Sequence, residues 1–493
     1  MPGQPLYTAE QTRELDRIAI EDCGIPGIRL MSRAGQAAFE LLLSEWPEPE
    51  QLHIYCGTGN NGGDGFIVAG LAQRRGIAVA VYQIGDADKI GGDALLARDN
   101  ALADGVQITA FAADVAPASG VIVDAMLGTG LTGDVRGDYV DAIELINNSG
   151  LPVLAIDIPS GLCSDSGRVL GSAVRADSTI SFIGSKRGLL TGSAPAMVGS
   201  LHFADLDVPA DIYTRVPAGC FRLELEAELD KLPEILRHAH KGLFGHALVV
   251  GGGPGLAGAA LMAAEAAGRC GAGLVSAATR PEHIAAFIAR RPEVMTRAAE
   301  TAADLESLLD SATACAVGPG LGQTPWAEQL LNAVVETELP LVVDADGLNL
   351  LAAGRVVENP QRDNWILTPH PGEAARLLDC STADIQQDRF AAVQQLQQRY
   401  GGVVLLKGAG TLICAGAEIY LCPYGNPGMA SGGMGDVLSG VLVSLLAQGL
   451  SPQDAACLGA CLHAAAADLA ALDGSRGLLA TDLMPYLREL LGA

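Results

Sequence analysis

The segment NPGMASGGMGDVLSG, residues 426–440, places several glycines ahead of a single acid, Asp436, and continues into an apolar run that predicts a helix. Backbone N–H groups in such a loop can bind a phosphate at the N-terminus of the helix. Asp436 follows directly and is placed to accept a proton. The combination indicates phosphoryl transfer, although a Gly-rich turn before a helix is, taken alone, also an ordinary connection.

Length and charge narrow the class of protein. The chain has 493 residues, 49% of them hydrophobic, and a formal net charge of −26. One hydrophobic core stops growing at about 250–300 residues, so two or more folded domains are expected. The acidic balance argues against a nucleic-acid partner, which requires a broad basic surface.

The N-terminus and the cysteines indicate a cytoplasmic protein. The stretch MPGQPLYTAEQTRELDR carries acids early and lacks the apolar region of a targeting peptide. The 11 cysteines include no C-x-x-C pair, which favours buried free thiols over disulfides or zinc. No apolar run is both long enough and sufficiently free of charge to cross a bilayer, so no membrane partner is expected.

Both halves of the chain predict an α/β fold. Short apolar runs such as LPVLAIDI and PLVVDADG alternate with helical patterns and end in Gly or Asp, as strands of a parallel sheet do. A polar, acidic stretch near residues 209–237 interrupts the pattern. We therefore expect domains at residues 1–212 and 238–493, joined by a linker at 213–237.

The motif CGTGNNGGDGF, residues 56–66, follows a predicted strand and precedes a helical pattern. This is the context of a dinucleotide-binding loop, although the spacing is not a simple G-x-G-x-x-G. Asn60 and Asn61 add amide donors and acceptors. Asp64 could instead cap the helix, which would make the motif a capped tight turn.

Two later strand ends add oxygen-bearing side chains. VDAMLGTGLTGDVRG contains Asp124, and AIDIPSGLCSD contains Asp157 and Ser160. Because parallel strand ends converge, oxygens of Asn61, Asp124 and Ser160 could hold a hard monovalent cation, leaving Asp157 for proton transfer. The spacing equally allows Asp124 and Asp157 to cap turns.

Together, NNGGDG, DAMLGTGLTGDVRG and DIPSGL resemble the epimerase domain of the bifunctional NAD(P)H-hydrate repair enzymes. The resemblance covers about the first 210 residues, including TAEQTRELD and LMSRAG. It implies a Rossmann-like three-layer domain that interconverts the epimers of hydrated NADH and NADPH (NADHX and NADPHX) and binds potassium through Asn61, Asp124 and Ser160. It also implies chemistry at Asp157. The residues it implies for hydrate binding are Asn60, Asn61, Gly62, Gly63, Asp64, Gly128, Thr129, Gly130, Leu131, Thr132, Gly133, Asp134, Tyr139 and Asp157.

The second half carries further strand-end motifs. They are HKGLFGHALVVGGGPGLAG (240–258), VGPGLG (317–322), VVDADGLNLL (342–351), ILTPHPGEAARLL (366–378) and KGAGT (407–411). Asp344, Asp346, His370 and Glu373 fall at strand ends, and Lys407 supplies positive charge near the phosphate loop. Each glycine could be a turn and His370 an ordinary loop histidine, but together these motifs indicate one site.

HKG, TPHPGE, KGAGT, NPGMASGGMGDVLSG and the late RGLLATDL resemble the ADP-dependent dehydratase domain of the same family, which has a ribokinase-like fold. The resemblance implies that Asp436 deprotonates the hydrate's hydroxyl, which is phosphorylated by ADP and leaves as phosphate, with AMP released and magnesium offsetting charge. It implies Gly258, Gly320, His370 and Asp436 for the hydrate. For the nucleotide it implies Lys407, Gly408, Ala409, Gly410, Thr411 and Gly435.

The segment GGGPGLAGAALMAAEAAGRCGAGL, residues 251–274, departs from this picture, because it is richer in Ala and Gly than a nicotinamide-contacting region should be. Two other functions are left open. One is a ribokinase-like small-molecule kinase fused to a dinucleotide-binding module, against which the N-terminal motifs argue. The other is a dinucleotide-binding sensor, against which Asp436 and Lys407 argue. A homo-oligomer is expected, while the choices between NADHX and NADPHX and between ADP and ATP stay open.

Overall fold

The computed structural model describes residues 3–113, 117–234, 238–356 and 360–492, which form two compact units. One comprises Pro5–Cys220, and the other comprises Phe221–Ala493 with Met1–Gln4. The strands are β1 Gln4–Leu6, β2 Gln51–Cys56, β3 Ala78–Gln83, β4 Ile108–Ala110, β5 Val121–Ala125, β6 Val153–Ile156, β7 Ser178–Phe182, β8 Ser200–Ala204, β9 Cys220–Arg222, β10 His246–Val250, β11 Leu274–Thr279, β12 Met295–Ala298, β13 Ala314–Val317, β14 Leu341–Val343, β15 Trp365–Leu367, β16 Val403–Leu406, β17 Thr411–Ala415 and β18 Glu418–Cys422.

Helices surround both sheets, and none in the described ranges is long and apolar enough to cross a membrane. They are α1 Ala9–Arg17, α2 Gly27–Glu45, α3 Asn60–Arg74, α4 Gly92–Ala103, α5 Asp138–Asn148, α6 Ile212–Arg215, α7 Leu225–Leu229, α8 Ala257–Arg269, α9 Ile284–Arg290, α10 Glu306–Ser311, α11 Pro325–Val335, α12 Asp346–Ala352, α13 Pro371–Leu378, α14 Thr382–Gln387, α15 Arg389–Tyr400, α16 Met434–Ala447, α17 Pro452–Ala470 and α18 Leu483–Leu491.

The N-terminal sheet is parallel, with strand order β4-β3-β2-β5-β6-β7-β8. Alternate residues of β2 face opposite layers: Ile54 packs with α2 and α3, and Tyr55 packs with α5. This gives three layers, as expected. The strand order reverses between β2 and β5, and open α/β sheets bind ligands at such a point, beyond the carboxyl ends of the strands.

The C-terminal sheet runs in the order β9-β18-β17-β16-β15-β14-β13-β10-β11-β12. Its strands from β10 to β16 pair in parallel, whereas β17 and β18 form antiparallel pairs at one side. Helices α8, α16, α17 and α18 share one buried core with residues of β10 and β13. The α/β prediction is confirmed for this unit too, although the antiparallel pair was not anticipated.

The structure differs from the predicted linker at residues 213–237. The division falls between Cys220 and Phe221, and the segment contains β9 and α7. Leu223 and Leu225 are buried in the C-terminal core, and Leu223 N donates to Leu421 O at 2.9 Å. The acidic residues around Leu223 and Leu225 made the segment resemble a linker in the sequence. Residues 235–237 of the expected linker lie outside the described ranges.

Candidate active sites

A pocket of about 670 Å³ lies at the carboxyl ends of β2, β5, β6 and β7, where the N-terminal strand order reverses. Residues of the sequence motifs line one side of the pocket, and residues of α1 line another. Of the predicted residues, those that line the pocket are Asn60, Asn61, Asp64, Gly128, Thr129, Gly130, Leu131, Thr132, Tyr139 and Asp157. The structure therefore brings three strand-end motifs to one cavity.

Four predicted hydrate-binding residues, Gly62, Gly63, Gly133 and Asp134, are not among those lining residues. Gly62 and Gly63 lie in the first turns of α3, where they allow close packing. A Cβ at Gly62 would collide with the carbonyl oxygen of Gly57, and one at Gly63 would lie 2.6 Å from the Met31 thioether. Gly62 therefore lets α3 approach its own entry loop, and Gly63 lets it approach Met31 of α2.

Asp64 is not the helix cap considered from the sequence. Helix α3 begins at Asn60 with Gly59 as its N-cap, so Asp64 lies inside the helix. It is buried beside the pocket, and burial raises the pKa of Asp64 well above its ordinary value, with the charge of Asp157 adding to the effect. A buried carboxyl group in a pocket is a candidate for binding or proton transfer rather than for capping.

Two of the three proposed cation ligands, Asp124 and Ser160, are in direct contact with each other. Asp124 is fully buried, with Oδ1 accepting from Ser160 Oγ at 2.6 Å and Oδ2 from Ser160 N at 2.7 Å. Met126 N also donates to Asp124 at 3.2 Å, so the aspartate does close a turn as well. Burial raises the pKa of Asp124 to about 6, and the hydrogen bonds from Ser160 and Met126 oppose that rise.

Asn61 supplies an observation that favours a bound ion. Its side chain is 7% exposed, and within the described residues neither its amide oxygen nor its amide nitrogen has a hydrogen-bond partner. Buried polar groups are normally paired, so a buried, unpaired amide is suited to binding a ligand. The donor set of Asn61, Asp124 and Ser160 consists of oxygens, which suits a hard cation.

Asp157 lies at the pocket end of β6 with a backbone φ of 66°, a strained conformation for a residue other than glycine. Its carboxylate forms an ion pair with Lys186, whose side chain is 1% exposed. Lys186 Nζ also donates to Ser181 Oγ and Phe182 O, both at 3.1 Å. The ion pair and the backbone conformation together fix the Asp157 carboxylate in the cavity.

Lys186 and Asp16 are pocket residues that the motif analysis did not single out. Lys186 follows β7 in the run SFIGSK, so it stands at a strand end like the other site residues, and that signal could have identified it. Asp16 lies one turn after Thr12 on α1, within the quoted TAEQTRELD motif. Burial raises the pKa of Asp16 to about 6. The charge of Lys186 opposes this rise, and the charge of Asp157 adds to it.

In the C-terminal unit, α16 begins at Met434, after Gly433 with φ of 94°, and Asp436 lies in its first turn. This confirms the helix start predicted from the glycine run. A Cβ at Gly435 would lie 3.3 Å from Lys407 Nζ and 3.4 Å from Asp344 Oδ2. The helix N-terminus, the KGAGT loop and the end of β14 therefore converge.

Lys407 is the centre of a charged cluster. Its Nζ lies 2.8 Å from Asp344 Oδ1 and 3.8 Å from Glu373 Oε2, while Ser439 Oγ donates to Asp344 Oδ2 at 2.8 Å. Burial acts to lower the pKa of Lys407, but the charges of Asp344 and Glu373 outweigh burial and raise that pKa. The ammonium group predicted to meet phosphate is thus already engaged by carboxylates.

Asp436 has a different environment. No described residue donates a hydrogen bond to its carboxylate, and Gly433, not Asp436, is the N-cap of α16. Burial, together with the charge of Asp344, raises the pKa of Asp436 to about 7, despite the nearby Lys407. A carboxylate with a pKa near neutrality is well matched to general-base catalysis.

The KGAGT loop rests on a buried arginine that no motif indicated. Arg389 is 2% exposed, and its Nη2 donates to Gly410 O at 3.2 Å and to Leu406 O at 3.4 Å. Gly408, with φ of 144°, passes so close that an added Cβ would collide with the guanidinium. Thr411 Oγ1 closes the loop by donating to Gly408 O at 3.0 Å. Arg389 therefore sets the path of this loop.

The predicted hydrate residues of this unit have distinct surroundings. His370 caps α13 through Nδ1, which accepts from Gly372 N at 3.0 Å, and its backbone N donates to Glu373 Oε2 at 2.8 Å. Gly320, with φ of 58°, packs against Leu256, whereas Gly258 has open space around the position of a Cβ. Glu373 thus connects His370 to the Lys407 cluster.

Packing explains the Ala- and Gly-rich segment at residues 251–274. Most of it forms α8, which packs against α16. A Cβ at Gly440 of α16 would collide with the carbonyl oxygen of Ala263. Small residues let the two helices approach closely, so this composition supports the helix that carries Asp436.

Comparisons with known proteins match both halves of the chain. A family model described as "YjeF-related protein N-terminus" matches residues 27–188, and one described as "NAD(P)H-hydrate dehydratase" matches residues 247–489. A Coxiella burnetii protein named bifunctional NAD(P)H-hydrate repair enzyme Nnr is 50% identical over 99% of each chain. An Escherichia coli protein of the same name is 43% identical, covering 99% of this chain and 94% of its own.

Among solved structures, a ribokinase-like superfamily protein from Enterococcus faecalis is similar to this chain with a TM-score of 0.51 and 28% identity. The match covers 56% of this chain and 96% of the other. Together with the family model over residues 247–489, this similarity confirms the ribokinase-like fold predicted for the C-terminal half.

Proposed function

The chain belongs to the bifunctional NAD(P)H-hydrate repair enzymes, and from this premise we propose how its two units divide the repair of hydrated NADH and NADPH. The N-terminal unit, Pro5–Cys220, epimerises the R and S forms of NADHX and NADPHX. The C-terminal unit, which begins at Phe221, dehydrates the S form with ADP and releases AMP and phosphate. The homo-oligomeric state and the cytoplasmic location stay predictions.

The dehydratase proposal rests on the surroundings of Asp436. This residue lies in the first turn of α16, beside Lys407 and Asp344, and its pKa is raised to about 7. Asp436 takes the proton of the substrate hydroxyl as that oxygen attacks the terminal phosphorus of ADP. The phosphorylated oxygen then leaves the ring as phosphate, and loss of the neighbouring C–H proton restores the double bond. AMP is the other product.

Nucleotide binding is assigned to Lys407, Gly408, Ala409, Gly410, Thr411 and Gly435. Glycines at these positions let backbone N–H groups approach phosphate closely, and Arg389 holds the loop in place. Gly258, Gly320 and His370 are assigned to the hydrate. Magnesium, when bound, would offset phosphate charge during transfer.

The epimerase proposal rests on the pocket that holds Asp157, with Asn60, Asn61, Asp64 and residues 128–132 of the two glycine loops along its wall. Potassium would be held by Asn61, Asp124 and Ser160. The unpaired, buried amide of Asn61 supports this assignment. The charge of potassium would balance Asp124 and hold the strand-end loops together. Asp157 acts near the nicotinamide ring as a proton-transferring carboxylate.

One assay tests the whole proposal. A mixture of both hydrate epimers is incubated with the protein and ADP, ATP or no nucleotide, and NADH absorbance is followed. We expect full recovery of NADH with ADP, because epimerisation feeds the dehydratase, together with release of AMP and phosphate. Absence of recovery with either nucleotide would contradict the repair function.

A further inference from the structure

Besides Asp157, which is paired with Lys186, and the buried Asp64, the epimerase pocket contains a further carboxyl group, that of Asp16. Asp16 of α1 lines the same cavity, and no described residue donates a hydrogen bond to its side chain. Lys186, the buried ammonium close to both acids, is already bonded to Asp157, Ser181 and Phe182. A carboxyl group placed in a pocket without a dedicated partner is available to a ligand.

The chemistry of the substrate requires two such groups. A dihydronicotinamide ring is an enamine, so adding water to its double bond places the hydroxyl on the carbon next to the ring nitrogen. The nitrogen lone pair can expel that hydroxyl once it is protonated, leaving a planar iminium ion. Inversion follows when water returns on the opposite face. Departure needs a proton donor on one face, and return needs a proton acceptor on the other.

We propose that Asp16 is the second catalytic residue of the epimerase, exchanging protons with the hydroxyl on one face of the ring while Asp157 does so on the other. This inference rests on the epimerase function proposed above. Asp157 is anchored by Lys186 at the end of β6, whereas Asp16 reaches the pocket from α1, so the two carboxyls come from separate elements.

The step balances without any oxidant. The Asp16 carboxyl gives its proton to the hydroxyl, the C–O electron pair leaves with the departing water, and the nitrogen lone pair forms the C=N bond. A water oxygen then attacks the carbon, the C=N pair returns to nitrogen, and the Asp157 carboxylate takes the released proton. Exchange of both carboxyls with bulk water resets the pair, and the same sequence runs in reverse from the other epimer.

The groups around Asp16 fit this role. Burial raises the pKa of Asp16 to about 6, Lys186 opposes the rise, and Asp157 adds to it. Asp64 also feels the charge of Asp16, and Arg13 and Asp93 line the same pocket. Up to about pH 6, with Asp16 protonated and Asp157 paired to a lysine, the pocket holds both a proton donor and a proton acceptor.

The test compares Asp16→Asn with Glu10→Gln, an acid on the exposed side of the same helix. Conversion of the purified R hydrate is measured in the full-length protein with excess ADP, and dehydration of the purified S hydrate is measured separately. D16N should lower kcat for epimerisation roughly 10²- to 10⁴-fold, with KM changed less than about threefold and dehydration unchanged. E10Q should behave like wild type.

Other outcomes overturn the inference. Epimerisation by D16N within threefold of wild type removes Asp16 from the chemistry, while absence of epimerisation in wild type instead rejects the function on which the inference rests. The wild-type pH profile is an independent measurement should D16N fold poorly. After subtraction of spontaneous epimerisation, the rate should fall as the pH rises above about 6, because protonated Asp16 is lost. A rate that is flat from about pH 5 to 8 contradicts the proposal.

Discussion

Asp436 is a partly buried carboxyl group to which no described residue donates a hydrogen bond, and that isolation is the source of its proposed reactivity. Burial and the charge of Asp344 favour the protonated form, while Lys407 limits the shift. A base with a pKa near 7 can take a hydroxyl proton without being protonated throughout the neutral range. The surroundings of this residue thus connect the first turn of α16 to the dehydration step.

The variant Asp436→Asn tests this assignment. It keeps the size of the side chain but cannot accept the proton, so the dehydration rate should fall roughly 10²- to 10⁴-fold with little change in ADP affinity. In wild type, kcat should rise with pH through about 7 as Asp436 ionises, and this rise should vanish in the variant. Asp473→Asn, at an exposed position of the same unit, serves as the control. Near-normal turnover of D436N would leave the glycine loop as a binding element only.

The same residue predicts a change in stability. Because folding raises the pKa of Asp436 from 3.8 to about 7, the folded state holds a proton that the unfolded state releases between those values. Stability is therefore lost as the pH rises through this window, when the buried group must ionise. Asp436→Asn removes that penalty and should raise the Tm of the C-terminal unit at pH 8, which scanning calorimetry can measure. A lower Tm would indicate that the carboxylate has a structural partner.

Asp124 is the single residue whose substitution tests the proposed potassium site. Asp124→Ala removes a carboxylate that is bonded to Ser160 and is placed to balance a cation, so epimerisation should fall at least about tenfold and lose its dependence on potassium. Dehydration should be unchanged, because the other unit holds that site. Measuring both rates with potassium or lithium chloride checks this. Equal loss of both activities in a folded variant would argue against a local role.

At the scale of elements, the contact between α8 and α16 determines how the proposed phosphate-binding helix is held. Gly440 lies directly against the carbonyl of Ala263, so Gly440→Ala should force the helices apart and destabilise the unit by roughly 1–3 kcal/mol. Gly268→Ala on α8 is the matched control, since only Val275 lies near its added Cβ, at 3.9 Å. That change should stabilise by roughly 0.5–1 kcal/mol through helix propensity. Urea unfolding of both variants distinguishes packing from propensity, and similar stability in the two would contradict the close contact.

At the scale of the whole molecule, the division after Cys220 changes where the dehydratase should be cut. A fragment of residues 221–493 keeps β9, α7 and the buried Leu223 and Leu225, whereas one of residues 238–493 lacks them. Each buried leucine contributes roughly 1.5–3 kcal/mol, so the longer fragment should be clearly more stable to urea. Both should consume only one hydrate epimer. Consumption of both epimers faster than spontaneous epimerisation would contradict the proposed division of labour.

Local sequence was sufficient to predict a structural element wherever one contiguous segment contains the pattern that specifies it. The glycine run before Asp436 predicted the start of α16, and apolar runs ending in Gly or Asp predicted parallel strands with residues at their carboxyl ends. Turn chemistry and strand periodicity depend on neighbours in the chain, so they can be read directly from it. The alternative left open for Asp64, a helix cap, is excluded, because the N-cap of α3 is Gly59, five residues earlier in the chain.

The sequence by itself determined the α/β class, the two halves and the family, because these follow from periodicity and from motifs that are contiguous in the chain. Only the tertiary structure brought Lys186 to Asp157, Arg389 to Gly410 and Leu223 into the C-terminal core. These partners lie 29, 21 and 198 residues apart in the chain, the last counted from Leu223 to Leu421, so no local pattern links them. The raised pKa values of Asp16 and Asp436 have the same origin, since burial and neighbouring charges exist only once distant segments have packed together.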